Sequence, residues 1–521
     1  MALLEIILRP AVFAPVLAIS SYLIYHLFFA GPKRPNIPIV GAKEGDWFPY
    51  LQATWRNTLD FQRACQEADT RYRGRAVHLP IFGTPNLIHL PREEISFVNE
   101  APDSQLSMHA MAIESLQTDY TSPDPYLVTN PVHHKLITTT LTNQIGNLVP
   151  DVADETQYAF DQLWGSSTGW KEVGVYDTLR RIIGSVTNRV FVGLPLCRNP
   201  DYLELGMAYA QDVPVASQLL RLLSPVIRPL AAYFITIPAK RHSKAFNQLI
   251  FPEIQARLDE YDARQQDPEK KSIKAKNDFL QWTVQQAKEM GDPYHWKLET
   301  LAGRIILLNF AAIHTSSFAI TSALLEMAHA DKADVNALRK EIEDVLAEHG
   351  GEWDKRALAQ MTLLDSWMRE SMRLNSFVTV GLMRLVMPKE GITTPSGVKI
   401  PKGCTVTVPS YAVLQDENVY DDAQEFKPFR FAELRKDESV GYIKRAQKAF
   451  ATTSNDYLAF GHGRNACPGR FFAANELKLM LAHVVLHYDI EAVTDEKPGT
   501  KWYAMNRIPS FEATIRVRRR A

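Results

Sequence analysis

The densest group of residues that could do chemistry is the segment FGHGRNACPG at 460–469, in which three glycines flank one cysteine, Cys467. Pro468 suits the first turn of a helix that begins just after the cysteine. A cysteine at a helix N-terminus lies near backbone N–H groups and the positive end of the helix dipole, and both lower the pKa of its thiol. A thiolate in such a glycine-lined loop can ligate a flat metal macrocycle, and cysteine ligation of haem iron favours cleavage of the O–O bond.

Two other interpretations of this segment stay open on the residues alone. Cys467 can be an inert buried thiol in a glycine-rich turn. The spacing G-x-G-x-x-A at 461–466 also matches a dinucleotide-binding loop. That motif is weak alone, and it needs a βαβ unit around it that the neighbouring sequence does not offer.

A second candidate lies in LETLAGRIILLNFAAIHTSSFAITSALLEMAHA at 298–330, a stretch of more than 30 residues without proline. At about 1.5 Å per residue it predicts a helix about 50 Å long, and its apolar character on nearly all sides predicts burial. His314 and Thr315 lie in its middle, where an imidazole and a hydroxyl could hold or move protons. The ordinary alternative for the hydroxyl of Thr315 is a hydrogen bond to the carbonyl one turn back.

The segment around Cys467 resembles the haem-binding loop of the cytochrome P-450 family, with Phe460, Gly461, Gly463, Cys467 and Gly469 at the family's positions. Five specified residues at fixed offsets are far more specific than most short motifs. The resemblance implies that Cys467 is the axial ligand of haem iron. It covers nearly the whole chain, because the family's other landmarks follow in order.

Three of those landmarks imply a structural role. Glu370 and Arg373 match the family's E-x-x-R, and their spacing places both on one face of a helix. Arg430 in KPFRF resembles the arginine that joins this pair in a buried network.

The segment AAIHTS at 311–316 resembles the family's oxygen-activation segment, which implies that Thr315 helps to supply protons to bound dioxygen. The chain departs from the family at His314, where an acid is usual. An imidazole there can also relay protons, which would make both residues catalytic, or it can contact substrate or backbone.

Two further departures concern the haem propionates. At Asn465 the family often has an arginine or a histidine, and the neighbouring Arg464 is the residue that could compensate by binding the cofactor. The usual tryptophan and arginine of an earlier helix are not visible in NPVHHKLITTTL at 130–141. His133, His134 and Lys135 are candidate substitutes there, although each also fits an ordinary surface position.

The composition excludes some classes of protein. The chain has 521 residues, with 58 basic and 59 acidic side chains, so its formal charge of −1 gives no net field to attract nucleic acid. Four cysteines are too few for a disulfide scaffold and fit a reducing compartment. Many helix patterns, a few strand patterns and no βαβ series predict a mainly α fold with small β-sheets, which is the cytochrome P-450 fold that the resemblance implies.

The N-terminus predicts a membrane anchor. The stretch 11–30 carries no formal charge and is long enough for one transmembrane helix, although a cleaved signal peptide is the alternative. Lys33 and Arg34 outweigh Arg9, which places the C-terminal part in the cytosol. We therefore expect an anchor at 1–30, a proline-rich linker at 31–41 and a haem-thiolate catalytic domain at 42–521, in a single-pass protein of the endoplasmic reticulum.

The resemblance implies a monooxygenase that takes electrons from a separate NADPH-cytochrome P-450 reductase. The sequence looks most like filamentous-fungal members of secondary metabolism, which act on terpenoid and indole-diterpene intermediates. Apolar segments at 106–116, 376–383 and 507–511 are expected to face the cavity and to receive a lipophilic substrate. Two alternatives stay open: a haem-thiolate isomerase, dehydratase or peroxygenase that needs no reductase, and a membrane-anchored haem sensor.

Overall fold

The computed structural model describes residues 34–267 and 275–520, together with Ala14, Leu17, Ala18 and Ser21. The rest of the predicted anchor at 1–30 and the start of the linker lie outside the described residues. The described chain forms two units. The first takes in residues up to 120, 215–237 and 383–407, and the second takes in 121–214, 238–382 and 408–520.

The first half of the described chain is mainly helical, with a π-helical turn at Leu136–Leu141. Its α-helices are α1 Pro49–Leu59, α2 Phe61–Arg71, α3 Ile95–Glu100, α4 Met108–Leu116, α5 Thr118–Thr121, α6 Pro125–Thr129, α7 Thr142–Leu163, α8 Val175–Phe191, α9 Pro200–Arg221, α10 Arg228–Ile235 and α11 Ile237–Gln266. Two of these helices, α2 and α6, begin at an aspartate whose side chain caps them. Asp60 accepts a hydrogen bond from the N–H of Arg63, which satisfies one of the free donors at the start of α2.

The second half contains the longest helix described. Its α-helices are α12 Phe279–Glu289, α13 Leu298–Ala328, α14 Lys332–Glu348, α15 Lys355–Gln360, α16 Thr362–Leu374, α17 Ser410–Leu414, α18 Arg430–Lys436, α19 Tyr442–Ala446 and α20 Arg470–His487. Helix α13 packs against α8, α16 and α20 in the second unit, and most of its side chains are buried.

The strands form four small sheets. They are β1 Val77–His78, β2 Leu87–His89, β3 Leu106–Ser107, β4 Lys171–Gly174, β5 Gly381–Val386, β6 Ile392–Thr393, β7 Lys399–Ile400, β8 Thr405–Val408, β9 Tyr488–Ala492, β10 Lys501–Tyr503, β11 Asn506–Ile508 and β12 Thr514–Arg519. One sheet has the order β1-β2-β8-β5-β3, another has the order β4-β12-β9, and two are hairpins, β6-β7 and β10-β11. The parallel pair β2 and β8 aligns Leu87 with Thr405.

The predicted mainly α fold with small sheets is confirmed. The long helix predicted for 298–330 is α13. Strands β1 and β2 form an antiparallel pair. The chain leaves helical geometry at Met361, which separates α15 from α16.

Helix α13 also bears on the membrane prediction. Among the residues that the structure describes, it is the one helix long and apolar enough to cross a bilayer. More than half of its most apolar stretch is buried inside the protein, as expected of a core helix.

Candidate active site

The loop that carries Cys467 is closed by its own backbone. The N–H of Cys467 donates to the carbonyl of Phe460 at 2.8 Å, and the N–H of Gly461 donates to the carbonyl of Leu458 at 2.8 Å. Residues Gly463–Asn465 form a short 3₁₀ turn between them. The ring of Phe460 packs edge-on against Phe450 at 5.4 Å, which ties the start of the loop to the protein core.

Glycines at 461 and 463 are required by the backbone. Their φ angles are +67° and +70°, in the left-handed region that a residue with a Cβ adopts only at a cost. Gly469 differs, because its φ is −86° and a Cβ placed there would meet nothing within 4 Å. The conformation of the protein therefore does not require glycine at 469, and the free space in front of it suits the close approach of a flat group.

Cys467 presents an exposed, unpaired thiol. The helix that follows, α20, begins at Arg470 with Gly469 as its N-cap, so Pro468 precedes the helix and does not occupy its first turn. The predicted lowering of the thiol pKa is opposed by a second effect that raises it. Although Cys467 keeps exposed surface, the protein atoms packed around its sulfur atom raise the pKa of the thiol by desolvation. This outweighs the lowering by the N–H groups of Gly469 and Arg470 and by the charge of Arg470.

The predicted structural network is present and buried. Arg373 donates from Nε to Oε2 of Glu370 at 2.8 Å and from Nη2 to Oε1 at 2.8 Å, which is a bidentate pair. Arg430 donates from Nε to the same Oε1 at 3.0 Å. Arg373 also donates to the carbonyls of Leu414 and Ala423, each at 2.7 Å. Glu370 and Arg373 are fully buried, so this network fixes the polypeptide between α16 and the Cys467 loop.

Thr315 lies on an open face of a helix that is otherwise mostly buried. Ala311 and Thr315 are exposed, whereas the residues that follow, Ser316 and Ser317, are buried. The hydroxyl of Thr315 donates to the carbonyl of Ala311 at 2.9 Å, which is the ordinary bond expected for a threonine in a helix. Because α13 packs against α20, the open face and the Cys467 loop belong to neighbouring elements of the second unit.

No motif in the sequence indicates which residue contacts His314. Its Nδ1 lies 2.9 Å from the hydroxyl of Tyr176, in the first turn of α8. Burial lowers the pKa of His314, the charge of Arg180 lowers it further, and the backbone of Met207 acts in the opposite direction. A tyrosine 138 positions earlier in the chain has no motif that would pair it with His314.

The candidate propionate ligands differ in their surroundings. Burial lowers the pKa of His133 to about 4, so this side chain is neutral at pH 7 and offers no charge to a carboxylate. His134 and Lys135 line a surface cleft together with Thr138, Gln286 and Met290. Arg464 is exposed on the Cys467 loop, and Asn465 beside it is half-buried.

The donor set of the site fits haem. In the part of the chain that the structure describes, no three His, Cys, Asp or Glu side chains are grouped as the ligands of a metal ion. A single accessible thiol suits a metal whose remaining ligands come from a macrocycle, and the glycine positions leave room for a flat ring. The residues that would hold haem are Cys467 as axial ligand, with Phe460, Gly461, Gly463, Arg464 and Gly469 around it.

Comparison with known proteins agrees with this geometry. The family model for cytochrome P-450 matches residues 129–511. Cytochrome P-450 monooxygenase 71 of Postia placenta is 36% identical over 418 residues, which cover 79% of this chain and 80% of that protein. Cytochrome P-450 monooxygenase gloP of Glarea lozoyensis is 30% identical and covers 92% of this chain and 90% of its own length.

A solved structure shows the same fold. Retinoic acid bound cyanobacterial CYP120A1 aligns with a TM-score of 0.65 over 93% of this chain and 100% of that chain, at 19% identity. Together with the family match over most of the sequence, the single accessible thiol of Cys467 and the buried Glu370 network, this leads to one conclusion: the chain belongs to the cytochrome P-450 family and is a haem-thiolate monooxygenase.

Proposed function

We propose that this protein hydroxylates or further oxidises a lipophilic, terpenoid-like intermediate of fungal secondary metabolism, with electrons from NADPH-cytochrome P-450 reductase. The observation that carries the proposal is the juxtaposition of two elements. The loop that presents Cys467 leads directly into α20, and α20 packs against the helix that exposes Thr315. A metal-ligating thiol and a hydroxyl that can hold a proton are thus placed on neighbouring elements.

Each residue of the site has a definite task in this chemistry. Haem bound through Cys467 supplies the activation of dioxygen, and the protein supplies ligation, orientation and protons. Thr315 is proposed to hold a proton near the reacting oxygen, exchanging its bond to the Ala311 carbonyl for one to an incoming group. Glu370, Arg373 and Arg430 have a structural task, because their hydrogen bonds hold the backbone between Leu414 and Lys427.

The sequence leaves His314, the neighbour of Thr315, two roles. Its Nδ1 is bonded to Tyr176, and its Nε2 is buried without a hydrogen bond of good geometry among the described residues. These surroundings support a role through packing and backbone position over a role as a proton relay.

The aromatic side chains beside α13 support a lipophilic substrate. Phe318 of α13 packs against Phe377 at 5.5 Å and against Phe511 at 6.0 Å. Phe377 and Phe511 belong to two of the apolar segments that the sequence predicts to face the cavity. A cavity walled by aromatic rings favours an apolar substrate of low charge.

The surface of the first unit supports attachment to a membrane. Helix α10 exposes Leu230 at 72%, with Tyr233 and Phe234 beside it. Helix α1 exposes Trp55 and, at 79%, Leu59. Exposed apolar residues in this number mark a contact with lipid or protein, and the aromatic ones suit a membrane interface. The guanidinium of Arg34 stacks on Tyr50 of α1 at 3.4 Å, so the chain leads towards the predicted anchor from beside α1.

Reconstitution tests the proposed reaction. The full chain is combined with haem, reductase, NADPH and O₂, and is supplied with lipid extracts from a strain in which the gene has been disrupted. The expected result is a product heavier by oxygen, or further oxidised, that needs all four components and that the disrupted strain lacks. Turnover without reductase would instead indicate an isomerase, a dehydratase or a peroxygenase, and haem binding with no turnover would indicate a sensor.

A flotation experiment tests the membrane part separately. Removal of 1–33 together with Leu230→Ser and Phe234→Ser is expected to release the protein from phosphatidylcholine vesicles. Removal of 1–33 alone is expected to weaken binding only in part. Full binding by the combined variant would contradict a role for α10.

A further inference from the structure

The hydrogen bond between Tyr176 and His314 joins α8 to the middle of α13. The two atoms, Oη of Tyr176 and Nδ1 of His314, are 2.9 Å apart. Tyr176 lies outside every segment that the sequence predicts to face the cavity. The bond nevertheless reaches His314, the residue immediately before Thr315. Helix α8 is therefore hydrogen-bonded directly to the segment that resembles the oxygen-activation segment.

The direction of this bond follows from what surrounds each group. Burial raises the pKa of Tyr176 to about 12, so the phenol keeps its proton. The described residues give that hydroxyl no hydrogen-bond partner besides His314. The phenol therefore donates to Nδ1, and a neutral imidazole then carries its hydrogen on Nε2. That nitrogen is buried. The backbone of Met207 in α9 raises the pKa of His314 and so opposes the effect of burial.

Tyr176 is also part of a stack of aromatic rings, which we call the aromatic wall: Tyr176, Phe318, Phe377 and Phe511. The ring of Tyr176 lies 4.1 Å from that of Phe511 with an interplanar angle of 17°, and 5.6 Å from that of Phe318. His314 stacks on Phe318 at 6.3 Å. A single tyrosine thus contacts the imidazole through its hydroxyl and the wall through its ring.

We propose that Tyr176 is a positioning residue, whose hydrogen bond to Nδ1 of His314 and stack on Phe511 hold His314 as a fixed part of the cavity wall, so that it carries no protons to Thr315. The proposal deepens the proposed monooxygenase function and rests on it for the role of Thr315.

The geometry argues against a relay through His314. A relay needs the imidazole to accept a proton at one nitrogen and to donate one towards Thr315 from the other. Here Nδ1 is occupied by Tyr176, and Nε2 is buried with no hydrogen bond to any described residue. The hydroxyl of Thr315 is bonded to Ala311 and Ala312, and no hydrogen bond links it to His314 within the described residues.

Hydrogen–deuterium exchange at the imidazole Cε1 position tests the proposal on the full haem-loaded chain, because its rate follows the titration of each histidine. Peptide mass spectrometry would compare His314 with the exposed His109. In the wild type we expect His314 to exchange more slowly than His109, and we expect the pKa of His314 to lie below the ordinary value of a histidine. In Tyr176→Phe, which keeps the ring and loses the hydroxyl, we expect its midpoint to rise towards the ordinary value.

The matched control is Tyr488→Phe, which removes a buried hydroxyl that donates to the carbonyl of Gly165 at 3.1 Å, far along the chain from His314. It should leave the exchange of His314 unchanged. The proposal is overturned if His314 exchanges as fast as His109 in the wild type, a result that needs no variant to fold. It is also overturned if Tyr176→Phe, with a normal CO-bound spectrum, exchanges like the wild type.

The ratio of hydrogen peroxide released to NADPH consumed tests the second half of the proposal. With reductase present, Tyr176→Phe should raise the ratio by less than Thr315→Val does, because the loss of the Tyr176 hydroxyl loosens His314 without removing the proton held by Thr315, whereas a relay through Tyr176 would raise the ratio as much as Thr315→Val does. A rise of that size in Tyr176→Phe would overturn the proposal. Failure of the proposed reaction would leave the exchange result unaffected, because the exchange requires only folded, haem-loaded protein.

Discussion

The backbone N–H of Cys467 donates to the carbonyl of Phe460 at 2.8 Å, so the two ends of the loop that presents the thiol are tied to each other. Between them the chain turns through Gly461 and Gly463, both with positive φ. The position of the sulfur atom therefore depends on two residues that can adopt a left-handed backbone.

Gly463→Ala should destabilise the loop, because the left-handed backbone conformation at this position costs a residue with a Cβ about 1–2 kcal/mol. We expect a corresponding loss in the free energy of unfolding and a lower ratio of haem to protein. Urea unfolding measures the first, and absorbance measures the second. Wild-type stability with full haem content would contradict the role given to the turn.

Gly469→Ala is the informative comparison. Its φ is ordinary and the protein leaves room for a Cβ, so the unfolding free energy should stay within about 0.5 kcal/mol of the wild type. The haem content should nevertheless fall, because the methyl group would occupy the space in which we place the flat ring. Normal haem content in this variant would show that haem does not approach Gly469 closely.

Glu370→Ala should abolish stable folding or weaken it by about 3–5 kcal/mol, because it leaves the buried guanidinium of Arg373 without its carboxylate. The matched control is Asp344→Ala, which breaks the exposed pair with Lys340 and should cost at most about 1 kcal/mol. Thermal unfolding of both variants measures the difference. Similar losses in the two would contradict a structural role for the network.

Thr315→Val should raise the ratio of hydrogen peroxide released to NADPH consumed and should lower product formation by about 10²-fold, the lower end of the usual contribution of general acid catalysis. Thr321→Val on the same helix is the control, because its buried hydroxyl has no hydrogen-bond partner in the structure. Both changes replace a hydroxyl by a methyl group. Equal effects in the two would assign the loss to packing.

The stability of the fold should fall as pH rises through neutrality because of Glu476. Burial raises the pKa of this carboxyl from 4.5 to about 8, although the hydroxyl of Thr187 donates to its Oε1 at 2.7 Å and lowers it. The folded state thus keeps a proton that the unfolded chain loses, and stability declines between pH 4.5 and about 8.

Glu476→Gln keeps the bond from Thr187 and has no proton to lose. It should remove this part of the pH dependence and should be more stable than the wild type at pH 8, whereas Glu343→Gln on an exposed surface should change neither. Urea unfolding at several pH values measures the effect. Parallel pH profiles for Glu476→Gln and the wild type would contradict a neutral Glu476.

Sequence patterns within one segment predicted the structural features that depend on that segment alone. The apolar run of α13 follows from composition, and the spacing of Glu370 and Arg373 places both on one face of a helix. The partner of His314 could not be predicted, because the contact with Tyr176 depends on how α8 packs against α13. The direction of the pKa shift of Cys467 could not be predicted from the sequence either. The lowering effect of the nearby N–H groups is visible in the local sequence, but the desolvation that raises the pKa depends on how the whole chain packs around the sulfur atom.

The absorption spectrum of the reduced, CO-bound protein is the most direct test of thiolate ligation by Cys467. The wild type should show the strongly red-shifted Soret band of a haem with a thiolate ligand, and Cys467→Ala should lose that band even where it retains some haem. A wild-type spectrum typical of a nitrogen ligand, or the red-shifted band persisting in Cys467→Ala, would contradict the account.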